Sequence, residues 1–254
     1  MLHTVDTIQL LSFHGHSTVK STMKTVGLIG GTTDVSTAEY YRLINTGLNK
    51  KRGGYNTGEI IIYSTDFGQS ARFAKGGLWE EFAKYLNEKA LSLERAGADF
   101  ILCCSNTCHG VADEFMKGVK IPLLHIMDVT GEAIRAAKLT KVALVGTKLT
   151  MSSKITVDEA RERYGTEVIV PTEEEQDILD NIIFAELSKS IFTEKSKAAY
   201  LEVFETLRSR GAEGVVLGCT EIPLLVKQTD LPDFPMFDTL TLHAEAAVSE
   251  ALAD

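Results

Sequence analysis

The sequence has no apolar run long enough to cross a membrane and no excess of basic residues. None of its hydrophobic stretches approaches the roughly eighteen residues that a membrane-spanning helix needs, which argues against a transmembrane segment. Its 26 lysines and arginines are outnumbered by 35 aspartates and glutamates, giving a net charge of −9. Since nucleic acids and anionic membrane surfaces bind basic proteins, we expect no nucleic-acid partner and no membrane partner.

Cysteine and proline are also scarce, with four and five residues in a chain of 254. A secreted disulfide scaffold would be shorter and richer in cysteine. Residues 1–22 contain one short apolar patch and no small-residue cleavage site, so they do not predict a secretory signal. We therefore expect a cytoplasmic protein with free thiols, in which residues 1–22 form a disordered extension before an alternative start at Met23.

What the sequence does contain is a series of short apolar runs that alternate with helical patterns. This alternation is typical of parallel strands, buried on both faces and joined by helices. The predicted strands are 25–29, 59–63, 100–103, 123–126, 142–145, 168–170, 214–217 and 236–237. The predicted helices include 36–50, opened by a capping-box pattern, 78–96 and 193–210, each stopped by a glycine, and 240–252.

Segments of the first half recur in the second half at a nearly constant separation. Residues 26–30 (VGLIG) resemble 142–146 (VALVG), and residues 95–99 resemble 209–213. Such a repeat predicts an α/β fold of two pseudo-symmetric domains, each a parallel sheet flanked by helices. We place the first domain at residues 23–126 plus 240–254 and the second at residues 127–239, with the active site in the interdomain cleft.

Two cysteines occupy equivalent positions of this repeat. Cys104 and Cys219 each follow a predicted strand and precede a predicted helix, where open parallel sheets bind their ligands. A helix N-terminus lowers the pKa of a nearby thiol, so we expect two activated thiols that face each other across the cleft. Cys103 lies within a strand and is expected in the core, and Cys108 is expected to serve packing.

Hydroxyl and amide side chains surround both thiols. Ser105, Asn106 and Thr107 follow the first cysteine, and Thr220 and Glu221 follow the second. A further donor-rich turn, Gly-Gly-Thr-Thr at 30–33, ends the first strand. Such turns hold carboxylates well, although ordinary helix capping explains many of the same residue types. A G-x-G-x-x-G fingerprint and a Walker lysine are missing, so we expect no nucleotide cofactor, and a four-ligand zinc spacing is missing, so we expect no metal.

Cys-Ser-Asn-Thr at 104–107 and Gly-Cys-Thr-Glu at 218–221 resemble the paired signatures of the aspartate/glutamate racemase superfamily, and the similarity covers residues 23–254. The resemblance implies homodimers without pyridoxal phosphate, in which Cys104 and Cys219 are the catalytic acid and base on opposite faces of the substrate Cα. Its aspartate branch is favoured by Glu221, because glutamate racemases usually carry histidine there. The candidate substrate-binding residues are Thr32, Arg72, Ser105, Asn106, Thr107, Thr147, Thr220 and Glu221.

The sequence departs from the family pattern at two of its positions. Thr32 stands where methionine usually follows the Gly-Gly turn, and Asp177 stands where some aspartate racemases carry a lysine for the side-chain carboxylate. Arg72 is the other basic residue expected to bind that carboxylate.

The resulting hypothesis is a racemase of aspartate first and glutamate second, with a small-molecule amino acid as its substrate. Two alternatives stay open. One is a maleate isomerase or hydantoin racemase-like isomerase of the same superfamily. The other is a binder of acidic metabolites without catalytic activity.

Overall fold

The first half of the protein is built on a three-stranded parallel sheet. A computed structural model describes residues 23–253, so the extension expected at 1–22 lies outside the described residues. The sheet has the order β2-β1-β3 and consists of β1 (Val26–Gly30), β2 (Ile60–Ser64) and β3 (Phe100–Cys103). Every residue of β1 and β3 is buried, which explains why both appear in the sequence as continuous apolar runs.

The second half is built on a four-stranded parallel sheet of order β5-β4-β6-β7. Its strands are β4 (Lys141–Val145), β5 (Glu167–Ile169), β6 (Val215–Leu217) and β7 (Met236–Asp238). The two sheets share one arrangement. In the first sheet β1 lies between β2 and β3, and in the second sheet β4 lies between β5 and β6. The predicted α/β class, with two parallel sheets flanked by helices, is confirmed.

The strand predicted at 123–126 is wrong. Only Leu123 pairs with the first sheet, through a single parallel bridge to Ile101. The backbone cannot continue as a strand because helix α6 begins at Ile126, with the His125 side chain capping it by accepting the N–H of Met127. The equivalent place in the second sheet is taken by β7.

Twelve α-helices surround the two sheets over residues 23–253. They are α1 (Asp34–Arg52), α2 (Phe67–Lys75), α3 (Trp79–Arg95), α4 (Asn106–His109), α5 (Ala112–Phe115), α6 (Ile126–Ala137), α7 (Lys148–Ser152), α8 (Lys154–Tyr164), α9 (Glu173–Ala185), α10 (Glu194–Ser209), α11 (Ile222–Leu225) and α12 (Thr239–Ala251). No helix in this part of the chain is long and apolar enough to cross a membrane.

The first helix begins two residues earlier than the capping-box pattern predicts. Its N-cap is Thr33, whose hydroxyl accepts the N–H of Ser36. Glu39 does not reach back to the helix start, because its carboxylate is paired with Arg42. The N-cap of α1 therefore lies close to the carboxyl end of β1, and Thr33 is positioned at that edge of the first sheet.

Helix α12 packs against the first sheet although it follows the second sheet in the chain. Leu240, Ala244 and Val248 share a buried cluster with Val26 and Ile44. The boundaries of the two predicted domains and the expected homodimer stay predictions.

Candidate active site

The carboxyl ends of β1, β3, β4 and β6 open into one cavity of about 390 Å³. Its residues from the first half include Thr32, Cys104, Ser105, Asn106 and Thr107, and those from the second half include Thr147, Cys219, Thr220 and Glu221. Each of these residues follows a strand end within a few positions, which is where parallel sheets bind their ligands. The structure thus brings together all but one of the candidate site residues.

Arg72 is the exception, and it does not line the cavity. It lies on α2, where its guanidinium donates to the Gln69 Oε1 at 3.3 Å and sits 5.3 Å from the Phe73 ring centre. The same helix directs Phe67 and Ala71 to the cavity, and the helical turn places Arg72 on the exposed side. The expectation that Arg72 binds the substrate finds no support in this placement.

Cys104 lies at the wall of the cavity with only 1% of its surface exposed. Its backbone N–H donates to the carbonyl of Ile29 at 2.9 Å, which fixes the residue beside the end of β1. Burial raises the pKa of the Cys104 thiol, and the nearby Cys108 raises it further. The thiol is therefore protonated at neutral pH.

Cys219 lies on the other half and has a carboxylate next to its sulfur. Its thiol donates to the Glu221 Oε2 at 3.0 Å. Removal from water raises the pKa of Cys219 most, and the negative charge of Glu221 raises it further.

The prediction that helix N-termini lower the pKa of both thiols is wrong. Helices α4 and α11 have four residues each, so they supply a small dipole. The cost of placing a thiolate in a buried site is larger than this stabilisation. Burial, which the sequence does not reveal, decides the direction of both shifts.

Glu221 connects the two halves of the protein. It is 3% exposed, and its Oε2 accepts the hydroxyl of Thr220 at 3.1 Å in addition to the Cys219 thiol. Its Oε1 accepts a hydrogen bond from the hydroxyl of Thr33, which belongs to the first half. Both carboxylate oxygens therefore have protein partners, and Glu221 positions Cys219 from the second half and Thr33 from the first.

The turn that carries Thr32 and Thr33 depends on a glycine. Gly31 has φ +82°, and a Cβ built there would lie 2.1 Å from the carbonyl oxygen of Thr65. Its N–H donates to the Thr37 hydroxyl at 2.8 Å. Only glycine fits this close approach, and it places Thr32 on the cavity wall with its hydroxyl 3.7 Å from the sulfur of Cys108.

A family model described as Asp/Glu/hydantoin racemase matches residues 28–247, a range that contains both thiols and every residue lining the cavity. The chain belongs to the Asp/Glu/hydantoin racemase family. This membership confirms the resemblance inferred from residues 104–107 and 218–221.

Several solved structures and sequences are similar to this racemase family member. A candidate Asp/Glu racemase from Yersinia pestis is 40% identical, with a TM-score of 0.83, over 91% of this chain and 100% of that one. An aspartate racemase homologue from Pyrococcus horikoshii is 37% identical with a TM-score of 0.77, again over 91% and 100% of the two chains. The broad specificity amino-acid racemase RacX of Bacillus subtilis is 27% identical over 175 residues, which are 68% of this chain and 74% of RacX.

The cavity of this family member also contains two basic residues that the sequence analysis did not select. Lys148 follows Thr147 at the end of β4, and its ammonium is paired with Asp177 and with Glu173 of α9. A lysine is thus present beside Asp177, but it comes from α7 and its charge is compensated. Lys75, at the end of α2, places its ammonium 4.5 Å from the centre of the Phe184 ring on α9.

Lys148 could have been identified in the sequence, because it comes three residues after the end of β4. Lys75 lies at the end of a helix and follows no strand, so its position gives no such signal. Thr33 was seen as part of a donor-rich turn, but its contact with Glu221 spans 188 positions and leaves no local pattern. Over residues 23–253, no cluster of histidine, cysteine, aspartate or glutamate side chains is arranged to hold a metal ion.

Proposed function

We propose that this protein racemises an amino acid without a cofactor, with aspartate as the first substrate and glutamate as the second, by moving the Cα proton between Cys104 and Cys219. The observation that carries the proposal is that these two thiols, at equivalent strand ends of the two sheets, line one cavity. Membership of a racemase family supports the reaction class.

The chemistry requires a base on one face of Cα and an acid on the other. A thiolate removes the Cα proton, and the opposite thiol donates its proton to the other face, which inverts the centre and leaves that second sulfur as the thiolate. Because the Cα–H is a weak acid, hydrogen-bond donors must stabilise the charge that develops towards the α-carboxylate. Asn106 and Thr107, which line the cavity close to the thiols, are the side-chain donors that we assign to this role, since the Thr220 hydroxyl already donates to Glu221.

Glu221 offers a way to form the thiolate in spite of the raised pKa of Cys219. The thiol already donates to the Glu221 carboxylate, with 3.0 Å between sulfur and oxygen, so its proton can pass to that oxygen along an existing hydrogen bond. Transfer yields a thiolate beside a neutral carboxyl group, without adding a second negative charge to the site. We therefore assign Glu221 to the activation of Cys219.

Lys75 is our candidate partner for the side-chain carboxylate of aspartate. Of the two lysines at the cavity, Lys148 is compensated by Asp177, whereas the Lys75 ammonium contacts the Phe184 ring. The aspartate racemase homologue of P. horikoshii supports aspartate as the first substrate to test, and RacX supports an assay on a wider panel of amino acids.

The deciding experiment follows the Cα–H signal of L-aspartate and L-glutamate by proton NMR in D₂O, with chiral chromatography of the products. Cys104→Ala and Cys219→Ala should each abolish racemisation. Cys108→Ala, which removes a buried thiol that does not line the cavity, is the matched control and should retain activity. Full racemisation by either of the first two variants would contradict the two-thiol mechanism.

The same assay separates the alternatives. Exchange at the ring carbon of a hydantoin but at neither amino acid would favour the hydantoin branch that the family description includes. A covalent adduct of maleate on Cys104, seen by intact-mass spectrometry, would favour an isomerase. Tight binding of aspartate without any exchange would indicate a binding protein.

A further inference from the structure

Asn106, one of the donors assigned to the substrate α-carboxylate, is bonded to a residue that lies outside the cavity. Its side-chain nitrogen donates to the hydroxyl of Thr239 at 3.0 Å, across 133 positions of the chain. Thr239 is the first residue of α12. It is 0% exposed and does not line the cavity, so it cannot touch a ligand there.

The hydroxyl of Thr239 extends this contact to the second half of the protein. It donates to the carbonyl of Leu217 at 2.8 Å, and Leu217 is the last residue of β6, two positions before Cys219. Asn106, Thr239 and Leu217 are all buried, so little water competes with either bond. A buried chain of two hydrogen bonds therefore joins a donor of the first half to the strand end that precedes Cys219.

The direction of the two bonds fixes the orientation of the Asn106 amide. A carbonyl only accepts, so Thr239 uses its one hydroxyl hydrogen on Leu217. Its oxygen is then an acceptor towards Asn106, which must present its NH₂ group and not its amide oxygen. The NH₂ group keeps a second hydrogen for a ligand. A reversed amide would set two acceptor oxygens against each other and replace that second N–H by an acceptor.

We infer that Thr239 is a positioning residue for racemisation, whose hydroxyl holds the Asn106 amide with its second N–H directed to the α-carboxylate of the substrate. This inference rests on the proposed function, because it names the residue that orients a donor assigned there. An Asn106 amide that is free to turn would spend part of its time with its oxygen towards the carboxylate, where it cannot stabilise the developing charge. Thr239 itself takes no part in proton transfer.

The test compares Thr239→Val, which nearly keeps the shape and removes the hydroxyl, with Thr239→Ser, which keeps the hydroxyl. Thr130→Val is the matched control. Thr130 is also 0% exposed, and its hydroxyl donates to the Ile126 carbonyl at 2.8 Å, but it does not line the cavity. Racemisation of aspartate is measured by steady-state kinetics for each variant, at a temperature at which circular dichroism shows it to be folded.

Thr239→Val should lower kcat/KM about tenfold to hundredfold, mainly through kcat, because the Asn106 donor acts most strongly on charge that develops in the transition state. Thr239→Ser should restore kcat/KM to within about threefold of wild type, and Thr130→Val should stay within about twofold. Both valine variants should melt at a lower temperature than wild type, since each loses a buried hydrogen bond. A similar loss of stability with an unequal loss of rate separates positioning from a structural role.

A double-mutant cycle tests whether Thr239 acts through Asn106. In an Asn106→Ala background, Thr239→Val should change kcat/KM by less than about twofold, because the amide that the hydroxyl orients is absent. An equal loss of kcat/KM in both backgrounds would show that Thr239 affects the site by another route and would overturn the inference.

The inference would also be overturned if Thr239→Val had the kcat of Thr130→Val, or if Thr239→Ser lost as much activity as Thr239→Val. If Thr239→Val does not fold, the wild type supplies the test. Its Asn106 NH₂ signals, assigned by their loss in Asn106→Ala, should exchange with D₂O more slowly than those of the exposed Asn181, and equal exchange would refute the bond to Thr239. Absence of Cα–H exchange on every amino acid in wild type would instead overturn the proposed function.

Discussion

Replacing Thr33 with valine should destabilise the protein more than the loss of a helix cap alone. The Thr33 hydroxyl accepts the N–H of Ser36 at 3.2 Å, which caps α1, and it donates to the buried carboxylate of Glu221. Valine has nearly the same shape and keeps neither bond. The substitution therefore removes the cap and leaves one Glu221 oxygen without its partner from the first half.

The magnitude follows from the burial of both groups, since Thr33 and Glu221 are 8% and 3% exposed. Loss of an N-cap costs about 1 kcal/mol. Loss of a hydrogen bond to a buried charged group costs about 1.5–3 kcal/mol. The free energy of unfolding of Thr33→Val should thus fall by about 2.5–4 kcal/mol, whereas Thr33→Ser, which keeps the hydroxyl, should lose less than about 1 kcal/mol.

The assay is urea denaturation of wild type and the two variants, with Ser153→Ala as a control. Ser153 caps α8 by accepting the N–H of Thr156 at 3.2 Å, so its replacement removes a cap alone. It should cost about 1 kcal/mol. If Thr33→Val costs no more than Ser153→Ala, the bond between Thr33 and Glu221 does not stabilise the protein, and the reasoning about the link between the halves is refuted.

Three further predictions concern the thiol, the cavity and the response to acid. Because the charge of Glu221 raises the pKa of Cys219, Glu221→Gln should shift the alkylation of Cys219 by iodoacetamide to lower pH, whereas racemisation, which uses the Glu221 carboxylate as the proton acceptor, should become slower; an unchanged pH profile of alkylation by peptide mass spectrometry would contradict this. Arg72→Ala should leave KM for aspartate within about twofold of wild type, and Lys75→Ala should raise it about tenfold. If steady-state kinetics show the reverse order, Arg72 and not Lys75 binds the side-chain carboxylate of aspartate. Burial lowers the pKa of His109 to about 4 in the folded protein, whereas the same imidazole in the unfolded chain titrates at about 6.5. As the pH falls, the unfolded chain therefore takes up this proton first. Protonation of His109 alone should lower the free energy of unfolding by about 3 kcal/mol between pH 7 and pH 4. Urea denaturation at several pH values should show a flatter loss for His109→Gln, and equal slopes would contradict the assignment.

Strands β1, β3 and β6 could be located from the sequence to within about one residue, because all of their residues are buried and a strand buried on both faces must be a continuous apolar run. Phe100–Cys103 and Val215–Leu217 are examples. The wrong strand prediction at 123–126 also came from reading an apolar run as a strand. Those residues are apolar enough for a strand, but the helix that begins at Ile126 ends the pairing after one bridge.

Within the site, the positions that follow strand ends were predictable and the orientations of side chains on helices were not. Cys104 and Cys219 come directly after buried runs, and parallel topology places such residues at one edge of a sheet. Arg72 and Ser70 lie two residues apart on α2, and only the packing of that helix shows that Ser70 lines the cavity and Arg72 does not.

The sequence by itself determined the two parallel sheets, the repeat that relates them and the two cysteines at equivalent strand ends, because periodicity and internal similarity are properties of the chain read in order. Only the tertiary structure decided that both thiols have raised pKa values, that Glu221 bonds to Cys219 and Thr33, and that the buried Ser70 hydroxyl has no partner among residues 23–253. The physical reason is that a pKa and a buried hydrogen bond depend on the loss of water and on neighbours far away in the chain, and folding alone sets both.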